Sequence, residues 1–284
     1  MTTTHTLNTP LVDLVYDVRG PLPTADGLPP LMMIGQPMTA DGFATLAGYF
    51  PDRTVLTYDP RGLGRSTRKD GGTEQRPQDQ ADDLHALVTA LGTGPVDVFA
   101  SSGGAVTGLA WVAAYPDDVR VLVAHEPPLL ALLPDAEAAF RARQAMLDAY
   151  LANGAAAGFA AFGMFGSWSG EFTDAYFAQQ LPPSDPAADD GSRDDPLLST
   201  RSWPVSGYEL DADAVAKAST RVVIAVGVES AGVLTGRTAT AAAQALGQEA
   251  TVFPSHHGGF LGPEFGYPGQ PEAFAAKLRD VLAG

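Results

Sequence analysis

Cysteine is absent from this 284-residue chain, which excludes disulfides, thiolate metal sites and a cysteine nucleophile together. Cationic side chains are scarce: 17 lysines and arginines stand against 33 acidic residues, giving a formal charge of -16. Such a field repels phosphate backbones and anionic lipid surfaces, so neither nucleic acid nor a membrane is an expected partner. Solubility alone also accounts for the acidity. Apolar runs are short, and none approaches the roughly 20 residues that span a bilayer. Met1 to Pro10 is polar and threonine-rich, without the basic start and apolar stretch of a secretory signal. A cytoplasmic location is therefore the expectation, with a small-molecule substrate as partner and a homodimer compatible with it. No cofactor is implied, because the chain carries no phosphate-cradling loop or metal-ligand cluster, and the glycines at Gly62 and Gly64 are too few to make one.

What the chain does contain is a regular alternation. Short apolar runs fall at Leu11 to Val18, Leu31 to Ile34, Thr54 to Tyr58, Val96 to Ala100, Val121 to Ala124, Arg221 to Val226 and Ala250 to Phe253. Between them lie helical stretches at Asp41 to Tyr49, Pro77 to Leu91, Ala105 to Tyr115, Leu234 to Leu246 and Pro271 to Leu282. Buried strands alternating with amphipathic helices predict an α/β fold, a mostly parallel central sheet with helices on both faces.

The alternation stops after Pro128 and resumes near Arg221, so residues 1–127 and 219–284 read as the core and 128–218 as a helical insertion. Pro134 to Asn153 is alanine-rich with Phe140, Met146, Leu147 and Tyr150 at helical spacing, and Gly154 reads as its C-cap. Gly158 to Trp168 and then Phe172, Tyr176 and Phe177 add two further apolar stretches. Their Phe, Met and Trp side chains suit an apolar acyl or aromatic pocket, although packing of the insertion on itself accounts for each singly. Ser184 to Pro196 holds five aspartates and no apolar side chain larger than alanine, and reads as a mobile surface loop rather than a calcium loop.

Val98 to Val106 reads VFASSGGAV, a strand end, a turn of small residues and a helix start. A serine in such a turn is an exposed nucleophile if the positions two before and two after it are small. Centring on Ser102 puts Ala100 and Gly104 there, whereas centring on Ser101 puts Phe99 where no side chain fits. A helix N-cap serine is the plainer alternative.

Asp59 to Ser66, DPRGLGRS, resembles the D-x-R-G-x-G-x-S turn of many α/β-hydrolases, and from about Leu31 onward the order of turn, serine, insertion and histidine is similar to that family's. The resemblance implies the α/β-hydrolase fold with an esterase-like or haloalkane-dehalogenase-like topology and 128–218 as a cap. Gly35, Gln36, Pro37 and Met38 resemble the family's H-G-x-P oxyanion turn, with Ile34 where the histidine stands. It implies the amides of Gln36 and Gly103 as oxyanion donors, with the Gln36 side chain either reaching substrate as well or belonging to a purely structural turn.

The general base is sought in PSHHGGFL, Pro254 to Leu261, where the family pattern favours His257 and leaves His256 as the alternative. His5, His85 and His125 read as surface or structural. The family's usual acid position falls on Ser230, which cannot supply a charge. Glu126, in VAHEPP, matches the strand end from which the haloalkane-dehalogenase group takes its acid, and is preferred over Glu229. Dehalogenation itself needs an aspartate where this chain has Ser102. Serine, carboxylate and histidine in that order are equipment for acyl transfer to an ester, thioester or lactone. Two other readings stay open, a cofactor-independent lyase or haloperoxidase-like enzyme on the same triad and a ligand-binding protein without turnover.

Overall fold

Strand pairing in the computed structural model, which describes residues 2–25, 27–182 and 189–284, follows the apolar runs. Among the described residues the strands are β1 (Thr2–Asn8), β2 (Val12–Arg19), β3 (Leu31–Gln36), β4 (Val55–Tyr58), β5 (Thr67–Arg68), β6 (Val96–Ser102), β7 (Val119–His125), β8 (Arg221–Gly227) and β9 (Thr251–Phe253). They form one sheet in the order β1-β2-β4-β3-β6-β7-β8-β9, with β5 beside β2. From β4 through β9 the pairs are parallel, while β1 and β2 run antiparallel at one edge. The fold is the mostly parallel α/β architecture that the alternation predicts.

Helices α1 (Ala44–Gly48), α2 (Pro77–Leu91), α3 (Gly103–Ala114), α4 (Ala136–Ser167), α5 (Asp174–Phe177), α6 (Trp203–Ser206), α7 (Ala212–Lys217), α8 (Leu234–Ala245) and α9 (Pro271–Ala283) complete the chain. Successive residues of a strand point to opposite faces, and both faces here are covered. Val98, Ala100 and Leu122 enter a core shared with α2, α3 and α8, whereas Phe99 and Val123 enter a second core with Phe43, Phe260, Phe274 and Leu278. Continuous apolar strands are the result.

Three expectations change. Met1 to Pro10 is no mere polar tail: Thr2–Asn8 pairs antiparallel with β2 along its whole length. Its side chains are almost all exposed, so backbone pairing makes this edge strand without any apolar pattern. Strands β3 and β6 run on to Gln36 and Ser102, beyond the last apolar residue, because the parallel ladder continues through polar side chains. Gly154 does not end a helix: it sits at φ 78°, ψ -170° inside the helical run 136–167, where it bends the chain between two helical halves.

The segment 128–218 has a core of its own, in which Leu130, Met146, Tyr150, Phe165 and Leu198 pack with Leu234 of α8. Its last part is shared, since Val205, Tyr208 and Val215 belong to the core under the sheet. Of the aspartate-rich stretch, 184–188 lies outside the described residues. Beyond it Asp189 pairs with Arg193 at 2.6 Å. No helix of the described residues is long and apolar enough to cross a membrane.

Candidate active site

The parallel register brings the carboxyl ends of the central strands together, the edge at which α/β sheets bind ligands. Gln36 pairs with Ser102 across β3 and β6, and Ser101 with His125 across β6 and β7. Ser102 ends β6 at φ 57°, ψ -127°, a backbone state that costs a non-glycine residue about 1–3 kcal/mol, and α3 starts at the next residue. Close packing enforces this turn. A Cβ at Gly104 would lie 2.6 Å from Gly35 Cα, and one at Gly103 would lie 2.7 Å from the Gln36 carbonyl oxygen, so only glycine lets helix and strand approach. Any anion beside Ser102 also faces the first turn of α3, where helix amides favour negative charge.

Glu126 follows β7 directly, fully buried and itself at φ 50°. One carboxylate oxygen accepts the Gly227 amide at 2.8 Å and the other meets His257 Nδ1 at 2.7 Å. Burial works to raise its pKa. The His257 hydrogen bond, the charges of His125 and His257 and a hydrogen bond with Ser230 outweigh burial and hold the carboxyl well below the usual range. His257 is partly exposed, and its ring opens on the same cavity as Ser102.

The competing candidates are occupied elsewhere. Glu229 is exposed and accepts Gln270 Nε2 at 3.3 Å, and His256 accepts the Gly258 amide at 3.0 Å with its ring 4.1 Å from Tyr267. Ser230, at the family's usual acid position, is buried and supports the Glu126 charge instead. His125 is not a surface residue: it is fully buried, 3.3 Å from Ser101 Oγ and 3.9 Å from Glu126. Burial pushes its pKa down to about 4 against the opposing pull of Glu126, so it is neutral at pH 7.

Ser102, Gly103, Gln36, Glu229, His256 and His257 line a cavity of about 410 Å³, within the usual range for small-molecule sites. The inserted segment supplies much of its wall, with Leu130, Met146, Phe162, Phe165 and Val205. Trp168, Phe172, Tyr176 and Phe177 pack on one another instead. The Gln36 side chain is buried against the cavity with neither amide atom bonded among the described residues. A second polar group, Arg143 of α4, also lines it and was not singled out from the sequence. The available signal was a cation on the apolar helical face of Phe140, Leu147 and Tyr150, three to seven residues away.

A larger cleft of about 910 Å³ lies at the amino ends of the strands, near Pro30, Pro95 and Arg120, and no histidine lines it among the described residues. No group of three or more His, Asp or Glu side chains able to hold a metal occurs among the described residues.

A hydrolase of Bacillus subtilis (strain 168), YraK, described as uncharacterized, is 37% identical over 129 residues. That match covers 45% of this chain and 46% of YraK, so the chain matches about half of the relative's length. Among solved structures, the fold is similar to a thermophilic esterase from Thermogutta terrifontis in its malate-bound form, with TM-score 0.65, 21% identity and coverage of 100% of this chain and 98% of that one. It is similar also to the proline iminopeptidase of Mycobacterium smegmatis, with TM-score 0.61, 20% identity and coverage of 99% and 98%. The family model described as the alpha/beta hydrolase fold matches residues 31–182, more than half of the sequence, and the chain belongs to that family.

Proposed function

We propose that this chain is a serine hydrolase that cleaves a carboxylic ester-type bond, in an ester, thioester or lactone, through an acyl-serine intermediate. One observation carries the reading: His257, bonded through Nδ1 to the buried Glu126 at 2.7 Å, shares a small cavity with a serine in the strained strand-to-helix turn. A histidine tied to a carboxylate through Nδ1 has Nε2 left for the serine proton.

Ser102 Oγ attacks the carbonyl carbon while His257 Nε2 takes its proton. Glu126 orients the imidazole and stabilises the imidazolium without itself taking up a proton. The amides of Gln36 and Gly103 receive the oxyanion, and each such donor is worth about 3 kcal/mol in the transition state. His257 returns the proton to the leaving oxygen or sulfur, the acyl-serine forms, and a water deprotonated by His257 hydrolyses it. Ile34 in place of the family histidine leaves this scheme intact, because both donors are backbone groups. The segment 128–218 acts as a cap that walls the acyl or aromatic part of the substrate from water.

A fluorophosphonate probe with peptide mass analysis tests the reading. Wild type is expected to carry the label on Ser102, and Ser102→Ala to carry none. Folded wild type that resists the probe, or label on another residue, overturns the proposal.

A further inference from the structure

We infer that the substrate carries, besides its scissile bond, a carboxylate monoanion, and that the Arg143 guanidinium receives it. This rests on the serine-hydrolase reading above, because the same cavity holds both groups.

Arg143 is only 4% exposed. Nη2 donates to Ser202 Oγ at 2.6 Å and to the Leu197 carbonyl at 3.4 Å, and the guanidinium lies 5.3 Å from the Trp203 ring. Those contacts hold the group in place without neutralising it. Nη1 is buried and has no partner, and no carboxylate lies within ion-pair range of Arg143 among the described residues. The other buried arginines are handled differently: Arg53 meets Asp97 at 2.9 Å and Arg61 meets Asp83 at 2.7 Å. Acid is not in short supply in a chain with 33 acidic residues against 17 basic ones. An isolated buried charge is costly and survives where something compensates it.

Among the described residues nothing supplies the compensating group, which points to one brought by a ligand. Burial alone lowers the Arg143 pKa, to about 10, so the side chain is still a cation at neutral pH. The carboxyl side chain on the cavity wall, Glu229, is exposed and engaged by Gln270. Apart from Arg143 no lysine or arginine lines the cavity among the described residues, so a larger anion finds no second fixed cation. One fixed charge with one free donor matches a single negative charge better than a phosphate dianion, which needs more donors and a second cation. With about 410 Å³ available, the two functions belong to one compact molecule, such as a half-ester of a dicarboxylic acid or a lactone bearing a carboxylate.

Two matched substrate pairs test this with wild type, Arg143→Met and Arg143→Lys. In the first pair, mono-p-nitrophenyl glutarate and p-nitrophenyl hexanoate, the charge is on the acyl side. In the second, 4-carboxyphenyl hexanoate and 4-acetylphenyl hexanoate, it is on the leaving group. Wild type is expected to favour the charged member of at least one pair by tenfold or more in kcat/KM. Arg143→Met is expected to cut that preference about 100-fold, within the range for truncating one partner of a buried charge pair, and Arg143→Lys to retain part of it. The inference is overturned if wild type favours the neutral member of both pairs, or if Arg143→Met lowers both members alike. Fluorophosphonate labelling of the same samples separates the two ideas: label without charge preference sinks the carboxylate alone, and no label on wild type sinks the serine-hydrolase reading beneath it.

Discussion

Two regions of this molecule each bury an arginine and treat it in opposite ways. In the turn after β4, Arg61 is 3% exposed and donates twice to Asp83, at 2.7 Å from both Nε and Nη2, with a third bond to the Asp79 carbonyl at 2.8 Å. Asp83 holds the Arg61 pKa above its ordinary value against the opposing pull of burial. In the segment 128–218 Arg143 is buried to the same degree with only neutral partners among the described residues, and burial acts on it unopposed. A charge that arrives with its counter-charge serves the fold. One that lacks it in an acid-rich chain leaves room for a ligand, so in our reading the sheet carries the reaction and the insertion carries the choice of substrate.

The largest effect should come from the sheet side and ignore the substrate's charge. Ser102→Ala and His257→Ala are each expected to lower kcat on the order of 10⁶-fold, the scale seen when one member of such a unit is removed. Both members of each ester pair should fall together, since neither residue reads the charge. Residual kcat measured within tenfold of wild type for either variant would place the chemistry elsewhere.

Next in size is a loss of stability from breaking the pair that the sheet side carries. Asp83→Ala removes the nearest and most buried of the three carboxylates around Arg61, leaving Asp70 and Asp79 each 3.7 Å away, and should destabilise the fold by about 3 kcal/mol in guanidinium unfolding. Adding Arg61→Met to Asp83→Leu should recover most of that loss, because no buried charge then remains at the pair and Asp70 and Asp79 both reach solvent. A cost below about 1 kcal/mol for Asp83→Ala would erase the contrast between the two arginines.

Acid should weaken the site in two steps of one sign. His125 has a pKa of about 4 in the fold against 6.5 when free. As pH falls from 6.5 towards 4 the unfolded chain takes up a proton that the folded chain refuses, and stability drops by up to about 3 kcal/mol. Glu126, whose carboxyl is depressed, adds its own loss below its ordinary value of 4.5. His125→Asn is expected to flatten the slope between pH 6.5 and 4.5 and leave the steeper acid limb. Unfolding midpoints at pH 7, 5.5 and 4.5 give the answer, and an unchanged slope would show that another group titrates there.

How much of this was legible differs between the same two regions. The inner strands read directly, because a strand covered on both faces is apolar at nearly every position, as in Val121 to Ala124. The Ser102 turn was readable from size alone, since Phe99 and Gly104 decide which serine the backbone can present. Edge strand β1 was not, because pairing with β2 leaves its side chains in water. Which glutamate approaches His257 was favoured by the family resemblance and not settled by the residues themselves. Glu126 and Glu229 follow neighbouring strands, and the direction of each carboxylate depends on the turn after the strand, seen in the positive φ of Glu126. Arg143 shares a helical face with Phe140, Leu147 and Tyr150, but nothing nearby in the sequence says what covers it. Its burial depends on Leu197, Ser202 and Trp203, more than fifty residues later in a stretch without periodic signal.

The smallest effect decides whether the arginine of the insertion is part of the scaffold. Arg143→Met removes a buried charge and leaves no carboxylate stranded, and Ser202 Oγ keeps its bonds to the Leu197 and Ser199 carbonyls at 2.7 and 3.2 Å. Replacing a buried charge by an apolar side chain of similar length is commonly neutral or stabilising, so stability should hold or rise by about 1 kcal/mol. For a chain of this size that is a shift in Tm of roughly 2–4 °C upward. The opposite sign, a loss of about 2 kcal/mol or more, would mean that Arg143 holds the segment together much as Arg61 holds its turn. Its missing counter-charge would then say nothing about what enters the cavity.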